Sequence, residues 1–492
     1  MKNLAKYFLF IALLVSMKAY SANSKTYAYY DSLTYDLYTH QQWKKLTVAG
    51  KEALNEGYDY YYLRVRVGVA YYQLKNYRQS VTQFRKALQF NSTDAFATEN
   101  LYYALRESGM NEEAYQLASL NKVLLSATGS EKNPLDFIYT EGGYTPDAIK
   151  GRESYALMGK DSIYGEEDTY AGQTYFHIGA GLHLLPSLSC YLGYSGLGIE
   201  KEKHIAGNTI TNHLDSIVDN TYSKDYYYSF PHKLYDTLIP YKVNQKEFYA
   251  SASWIALPGL SITPAFHYIS GTTQTFNSAY QLLPRIDTGF YLKTDSTWQP
   301  FFDTVSRYVV SQKGNKFSNY VISLSISKQW RNFSFGFFGS YASLITKGKQ
   351  KQAGASVTWF PFGNLNLFET TSFTGFFFMR DKRLIFDQSV GGRLAPKLWL
   401  EGSLTLGNLS LYNEKNAFIA YNLSDRIIMR TGANLIFSLN RNLEISLMYR
   451  FYTKEYDYLH YQKLPGGQST VPVTVTNKFN NNSIIGGLKW KL

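Results

Sequence analysis

From Leu135 to the C-terminus the chain repeats one pattern, in which apolar and polar residues alternate over runs too long for an ordinary soluble strand. Leu443, Ile445, Leu447, Tyr449 and Phe451 interleave with Glu444, Ser446, Met448, Arg450 and Tyr452. Tyr320, Ile322, Leu324 and Ile326 do the same against Ser323, Ser325 and Ser327. A two-residue period places one oily and one polar face on a strand. These runs span roughly 12 to 15 residues, against about 5 to 6 for a typical soluble strand and 9 to 11 for a tilted strand crossing a bilayer. The pattern predicts an antiparallel transmembrane β-barrel.

Composition agrees with that expectation. Mean hydropathy is −0.28, yet 17% of the residues are aromatic, a combination a barrel accommodates because only alternate residues face lipid. No segment of about 18 consecutive apolar residues is present, which excludes a helical membrane protein. Lys2 and Lys6, the apolar run from Tyr7 to Val15 and the small residues Ala19, Ser21 and Ala22 read as a cleaved secretory signal over residues 1–22. Cys190 is the only cysteine, which leaves no internal disulfide and no cysteine-based zinc site. The formal charge of +12 is scattered through strands and loops. In a secreted chain it points to outer-membrane lipid and lipopolysaccharide as partners, and not to nucleic acid.

Short turns at 185–187, 258–259, 330–332, 361–363, 396–397 and 440–442 alternate with segments that read as long loops, at 147–172, 203–244, 275–315 and 458–477. Short periplasmic turns and long extracellular loops are the asymmetry of outer-membrane barrels. A first strand leaving near Leu135 and a last one returning at Leu492 make the count even. Fourteen strands result, with 12 and 16 as alternatives, when residues 398–422 are taken as one long or bulged strand.

Before Pro134 the grammar is helical. Aligned at a spacing of 34, Trp43, Tyr77 and Asn111 fall in register, as do Leu46, Ser80 and Ala114, and Ala53 with Ala87. That spacing belongs to the tetratricopeptide repeat. The unit from Tyr61 to Asp94 resembles it in Gly68, Tyr71, Phe84 and Ala87, although Arg64 stands where Trp is usual. The organisation read from sequence is therefore a signal (1–22), about three helix pairs (27–126), a linker (127–134) and a barrel (135–492). A helical repeat preceding a barrel resembles the YaiO-type outer-membrane family and, more distantly, the exporters of cellulose and poly-N-acetylglucosamine. The resemblance implies an outer-membrane pore passing a polysaccharide or similar polar solute, with the repeats docking a periplasmic protein. A non-conducting barrel anchoring a scaffold for secretion or envelope assembly is the alternative.

If the oily faces meet lipid, the lumen receives Arg383, Asp387, Arg393, Glu401, Arg430, Glu444, Arg450 and Lys489. Charges of both signs inside a barrel must pair or be hydrated. They form either a structural network filling the lumen or a constriction on a solute path. Tyr61, Arg64 and Tyr71 are the candidates for a docking face on the repeats, against a reading in which these tyrosines pack the core. Tyr222, Tyr226, Tyr227, Tyr228, Phe230, Tyr235 and Tyr241 form an aromatic cluster that follows the chain's general richness in tyrosine. No serine-hydrolase elbow, His-Glu-x-x-His motif or phosphate-binding loop occurs. His177 and His183, of equal parity on one strand, read as structural. The expectation is a protein that is not an enzyme and needs no cofactor or metal.

Overall fold

The computed structural model describes residues 25–121, 124, 134–146, 162–219, 222–292, 298–344, 348–422, 426–463 and 470–492. The expected signal and most of the expected linker lie outside them, as do the side chains of Tyr222 to Tyr235 in the aromatic cluster. The chain divides into two compact units: Met1–Glu131 with Trp330–Phe333 and Phe360–Leu367, and Lys132–Gln329 with Ser334–Trp359 and Phe368–Leu492.

Six helices are described in the first unit: α1 (Tyr27–Thr39), α2 (Trp43–Asn55), α3 (Tyr61–Gln73), α4 (Tyr77–Phe90), α5 (Ala95–Glu107) and α6 (Asn111–Leu120). Their starts advance by 34 residues from pair to pair, and so do the turns. Gln41, Lys75 and Gly109 each take positive φ, and the following amide closes each turn onto the carbonyl of Leu37, Tyr71 or Leu105. Three of the six entries are capped by side chains: Thr26, Asn76 and Asp94 accept from Tyr29, Gln79 and Ala97, satisfying amides that a helix start leaves orphaned. Gly68 lets α3 and α4 approach closely, since a Cβ there would lie 3.0 Å from the Phe84 ring.

The second unit is a closed antiparallel barrel of fourteen strands in which β1 (Leu135–Thr145) pairs with β16 (Thr470–Lys491). The remaining wall strands are β2 (Ser162–Leu185), β3 (Leu188–Asp219), β4 (Tyr222–Leu257), β5 (Leu260–Leu292), β6 (Trp298–Trp330), β7 (Phe333–Ser343), β8 (Gln350–Trp359), β9 (Leu367–Phe378), β10 (Asp381–Ala395), β11 (Leu398–Leu406), β14 (Arg426–Ser438) and β15 (Leu443–Lys463). The expected helical segment followed by a fourteen-strand barrel is the fold observed. Alternation sorts the side chains as expected: Phe176, Ile178, Phe248, Ile322, Leu324 and Leu447 are exposed on the outside, while His177, Ser195 and Ser323 are buried inside. Trp254, Trp359 and Trp490 are also exposed and lie near strand ends on the short-turn side. An apolar surface of this extent, edged by tryptophans, matches a hydrocarbon band and its interface and does not match water.

Two expectations are corrected. The described parts of the segments read as long loops are strand: β3 and β4 stay paired out to Asp219 and Tyr222, and β15 and β16 out to Lys463 and Thr470. Continued pairing satisfies backbone groups beyond the bilayer, and the alternation of Val471, Val473 and Val475 with Pro472, Thr474 and Thr476 suits a strand. Residues 398–422 are not one strand either. β11 ends at Leu406, Gly407 takes φ 123°, and the chain then forms a small separate hairpin, β12 (Asn413–Glu414) with β13 (Ile419–Ala420).

Candidate functional site: a hairpin held inside the barrel

The hairpin of residues 407–422 folds into the lumen. Its turn is built from Lys415, Asn416 and Ala417, three consecutive residues with φ of 51°, 55° and 67°. A left-handed backbone costs a non-glycine residue about 1–2 kcal/mol, so the tip persists only because its surroundings hold it. Ala417 is fully buried, and its carbonyl lies 2.7 Å from His267 Nδ1. A carbonyl can only accept, so this ring nitrogen carries the proton. His267 Nε2 in turn lies 3.3 Å from Glu247 Oε2. Asn416 donates to the Thr263 carbonyl at 3.2 Å and accepts from Ser323 Oγ at 2.8 Å, while its own carbonyl accepts from Tyr249 Oη at 3.2 Å. Phe418 presents its ring edgewise to His177 and Tyr249, with centroids 5.1 Å apart in both pairs.

The two arms of the hairpin are anchored to other parts of the wall. Arg383 donates to the carbonyls of Asn408 at 2.7 Å and Ser410 at 3.0 Å, with its guanidinium 3.9 Å from the Phe376 centroid. Arg430 reaches Glu414 and the Tyr421 hydroxyl on the hairpin, and Thr405 Oγ1 at 2.7 Å and Asp387 Oδ2 at 3.5 Å on the wall. With side-chain exposures of 7% and 10%, Arg430 and Glu414 form a buried ion pair that ties hairpin to barrel. Asn422 meets the Asn319 amide at 3.1 Å. Apolar packing completes the seat: Leu409 and Tyr412 are buried with Phe376, Ile385 and Ile427.

The hairpin separates two cavities. One, of about 450 Å³, is lined by Tyr412 to Asn416 and by the walls of β6 to β11, β14 and β15. The other, of about 170 Å³, is lined by Phe418 to Asn422 and by residues of β1, β2, β15 and β16. Arg450 lines both.

No protein-family model and no curated protein sequence matches the chain. Among solved structures, a Pseudomonas aeruginosa FadL homologue aligns over 74% of this chain and 93% of its own, at 8% identity and a TM-score of 0.37. The toluene transporter TodX of P. putida aligns over 75% and 92%, at 6% identity and a TM-score of 0.35. The translocator domain of the autotransporter NalP from Neisseria meningitidis aligns over 79% and 100%, at 7% identity and a TM-score of 0.28. Similarity this low adds nothing to the barrel architecture that the strand pairing itself establishes.

Of the residues singled out from sequence, Asp387, Glu401, Arg430 and Arg450 line the larger cavity, and Arg383 clasps the hairpin. The other three lie at the short-turn end. There Glu444 pairs with Lys491 at 2.5 Å, Lys489 Nζ lies 3.8 Å from the Phe137 centroid, and the exposed Arg393 bonds back to the carbonyls of Ala395 and Pro396. On the helical unit Tyr71 is buried and Tyr61 packs against the core. Arg64 is tied to Asp59 by bonds of 2.7 and 2.6 Å and to Gln83 at 2.7 Å. The Arg64 hydrogen bonds and charge hold the Asp59 carboxyl below its ordinary value. The exposed aromatics include Tyr27, Tyr29, Tyr35 and Tyr62, the last two flanking the Arg66 guanidinium at 5.2 and 5.8 Å. Sequence reasoning missed Asn413, Glu414, Asn416 and Phe418. The available signal was the run Gly407-Asn408 and Asn413-Glu414-Lys415-Asn416, rich in turn formers, in a stretch where alternation lapses.

Proposed function

We propose that the protein is an outer-membrane passage for a polar solute or polysaccharide, closed by the hairpin of residues 407–422. The observation that carries this reading is a seat made largely of hydrogen bonds and ion pairs, with a strained turn at its centre. An element that only filled space would need neither. Release of the hairpin would join the two cavities and relieve the left-handed backbone at the tip. By the usual barrel asymmetry the short turns face the periplasm, which would put the helical repeats there as a docking unit for a periplasmic protein. Nothing in this reading calls for catalysis.

The test is single-channel recording in planar bilayers, comparing the full chain with a variant in which residues 408–421 are replaced by a short Gly-Ser turn. Low conductance that rises in the variant supports a gated passage. Equal silence of both would sink it and leave the non-conducting anchor, with the repeats as scaffold, as the working description.

A further inference from the structure

Four hydroxyls on adjacent strands face the larger cavity without a hydrogen-bond partner among the described residues. Ser356 on β8 stands directly opposite Ser372 on β9, and Ser389 on β10 opposite Ser403 on β11. All four line the cavity, and each can donate once and accept twice. Beyond this row stands Glu401, paired across the sheet with Asn434, whose Oδ1 is shut off from solvent and makes no hydrogen bond. A buried polar atom left unpaired is costly, and a group entering the cavity would let the amide turn and recover that bond. Two aromatic rings, Phe338 and the buried Tyr412, belong to the same lining and offer flat apolar faces.

The charges around this space balance: Asp387, Glu401 and Glu414 against Lys415, Arg430 and Arg450. Arg430 is already engaged by Glu414 and Asp387. The lining therefore has no net charge with which to hold an ion, but many uncommitted hydroxyls and rings. We infer that the larger cavity is a binding site for a neutral, hydroxyl-rich ligand of about disaccharide size. Its volume lies within the roughly 300–1,000 Å³ of small-molecule sites. In such a ligand the ring hydroxyls would bond the serine row and Glu401, while C–H faces pack on Phe338 and Tyr412. The inference deepens the proposed passage by naming a solute class, yet it concerns equilibrium binding to the closed barrel and needs no conduction.

The experiment is calorimetric titration of the full chain in detergent with sucrose as the neutral probe and with glucosamine and glucuronate as charged ones. Sucrose is expected to bind, and more tightly than either charged sugar. The triple variant Ser372→Ala, Ser389→Ala, Ser403→Ala should weaken sucrose by at least about tenfold, because three hydrogen bonds of modest net worth are lost. Phe338→Leu, which leaves the polar row intact, should weaken it as well and serves if the triple variant fails to fold. Absence of sucrose binding, preference for a charged sugar, or sucrose binding indifferent to these variants would overturn the inference. Conductance separates the two ideas: channels without sucrose binding sink only the site, and sucrose binding to a silent barrel sinks only the passage.

Discussion

Arg430→Met is the sharpest perturbation of the closed state. Arg430 bonds both the hairpin, at Glu414 and Tyr421, and the wall, at Thr405 and Asp387. Removing it leaves the Glu414 carboxylate buried without its counter-ion. Breaking a buried pair in this way typically costs about 3–5 kcal/mol. Asp387 is partly exposed to the cavity and can be hydrated, so the lower end of that range applies. The barrel wall retains its ladder hydrogen bonds, so the cost falls on the hairpin, whose departure would return Glu414 to water. A shift of about 3 kcal/mol moves the seated-to-released ratio by roughly two orders of magnitude. Single-channel recording should show the open fraction rising by that factor, and limited proteolysis should cut within residues 407–422. Adding Glu414→Gln removes the stranded charge while keeping an acceptor for Tyr421, so the double variant should close again. No rise in the single variant, or a double variant as open as the single, would refute the assignment of this ion pair as the latch.

Three further outcomes follow from the geometry. His267→Leu leaves the buried Ala417 carbonyl without a donor, a loss of about 1–3 kcal/mol, and should raise hydrogen exchange of residues 413–420 without disturbing β5. Gly68→Val drives a branched side chain into the Phe84 ring, already 3.0 Å from a notional Cβ. It should destabilise the helical unit by about 1–3 kcal/mol, seen as faster exchange across α3 and α4. Because the Asp59 carboxyl sits below its ordinary value, its contribution is fully present above about pH 4 and is lost as pH falls through the lower folded value. Its exposure limits that contribution to at most about 1 kcal/mol, and Asp59→Asn should flatten the acid-side slope of helical melting followed by circular dichroism.

The barrel and the helix pairs were legible because each rests on a period. Two-residue alternation put Ile322 and Leu324 on the oily face and Ser323 on the polar one, and the 34-residue spacing aligned Trp43, Tyr77 and Asn111, the first residues of α2, α4 and α6. The hairpin was not legible, since its position depends on contacts with β5 and β6 that leave no local trace. Residues 407–422 read as the continuation of one long or bulged strand until Thr263, His267 and Ser323 are seen to hold them. The docking candidates show the same limit from the other side. A tyrosine run at helical spacing does not say which ring faces the core, and Tyr71 is buried while Tyr62 is exposed.

The inward hairpin also constrains the order in which the barrel can assemble. The Tyr249 hydroxyl and the Asn416 carbonyl it bonds are 167 residues apart, and His267 and Ala417 are 150 apart. Such contacts form only after the intervening sheet has curled far enough to bring opposite walls together. The seam that closes the wall joins β1 to β16. The hairpin must therefore be inside before that seam closes, or be threaded through a mouth afterwards. Seating it early would let its polar tip draw β4, β5 and β6 toward β11 and β14, so the same segment that occupies the finished lumen would help bend the sheet that surrounds it.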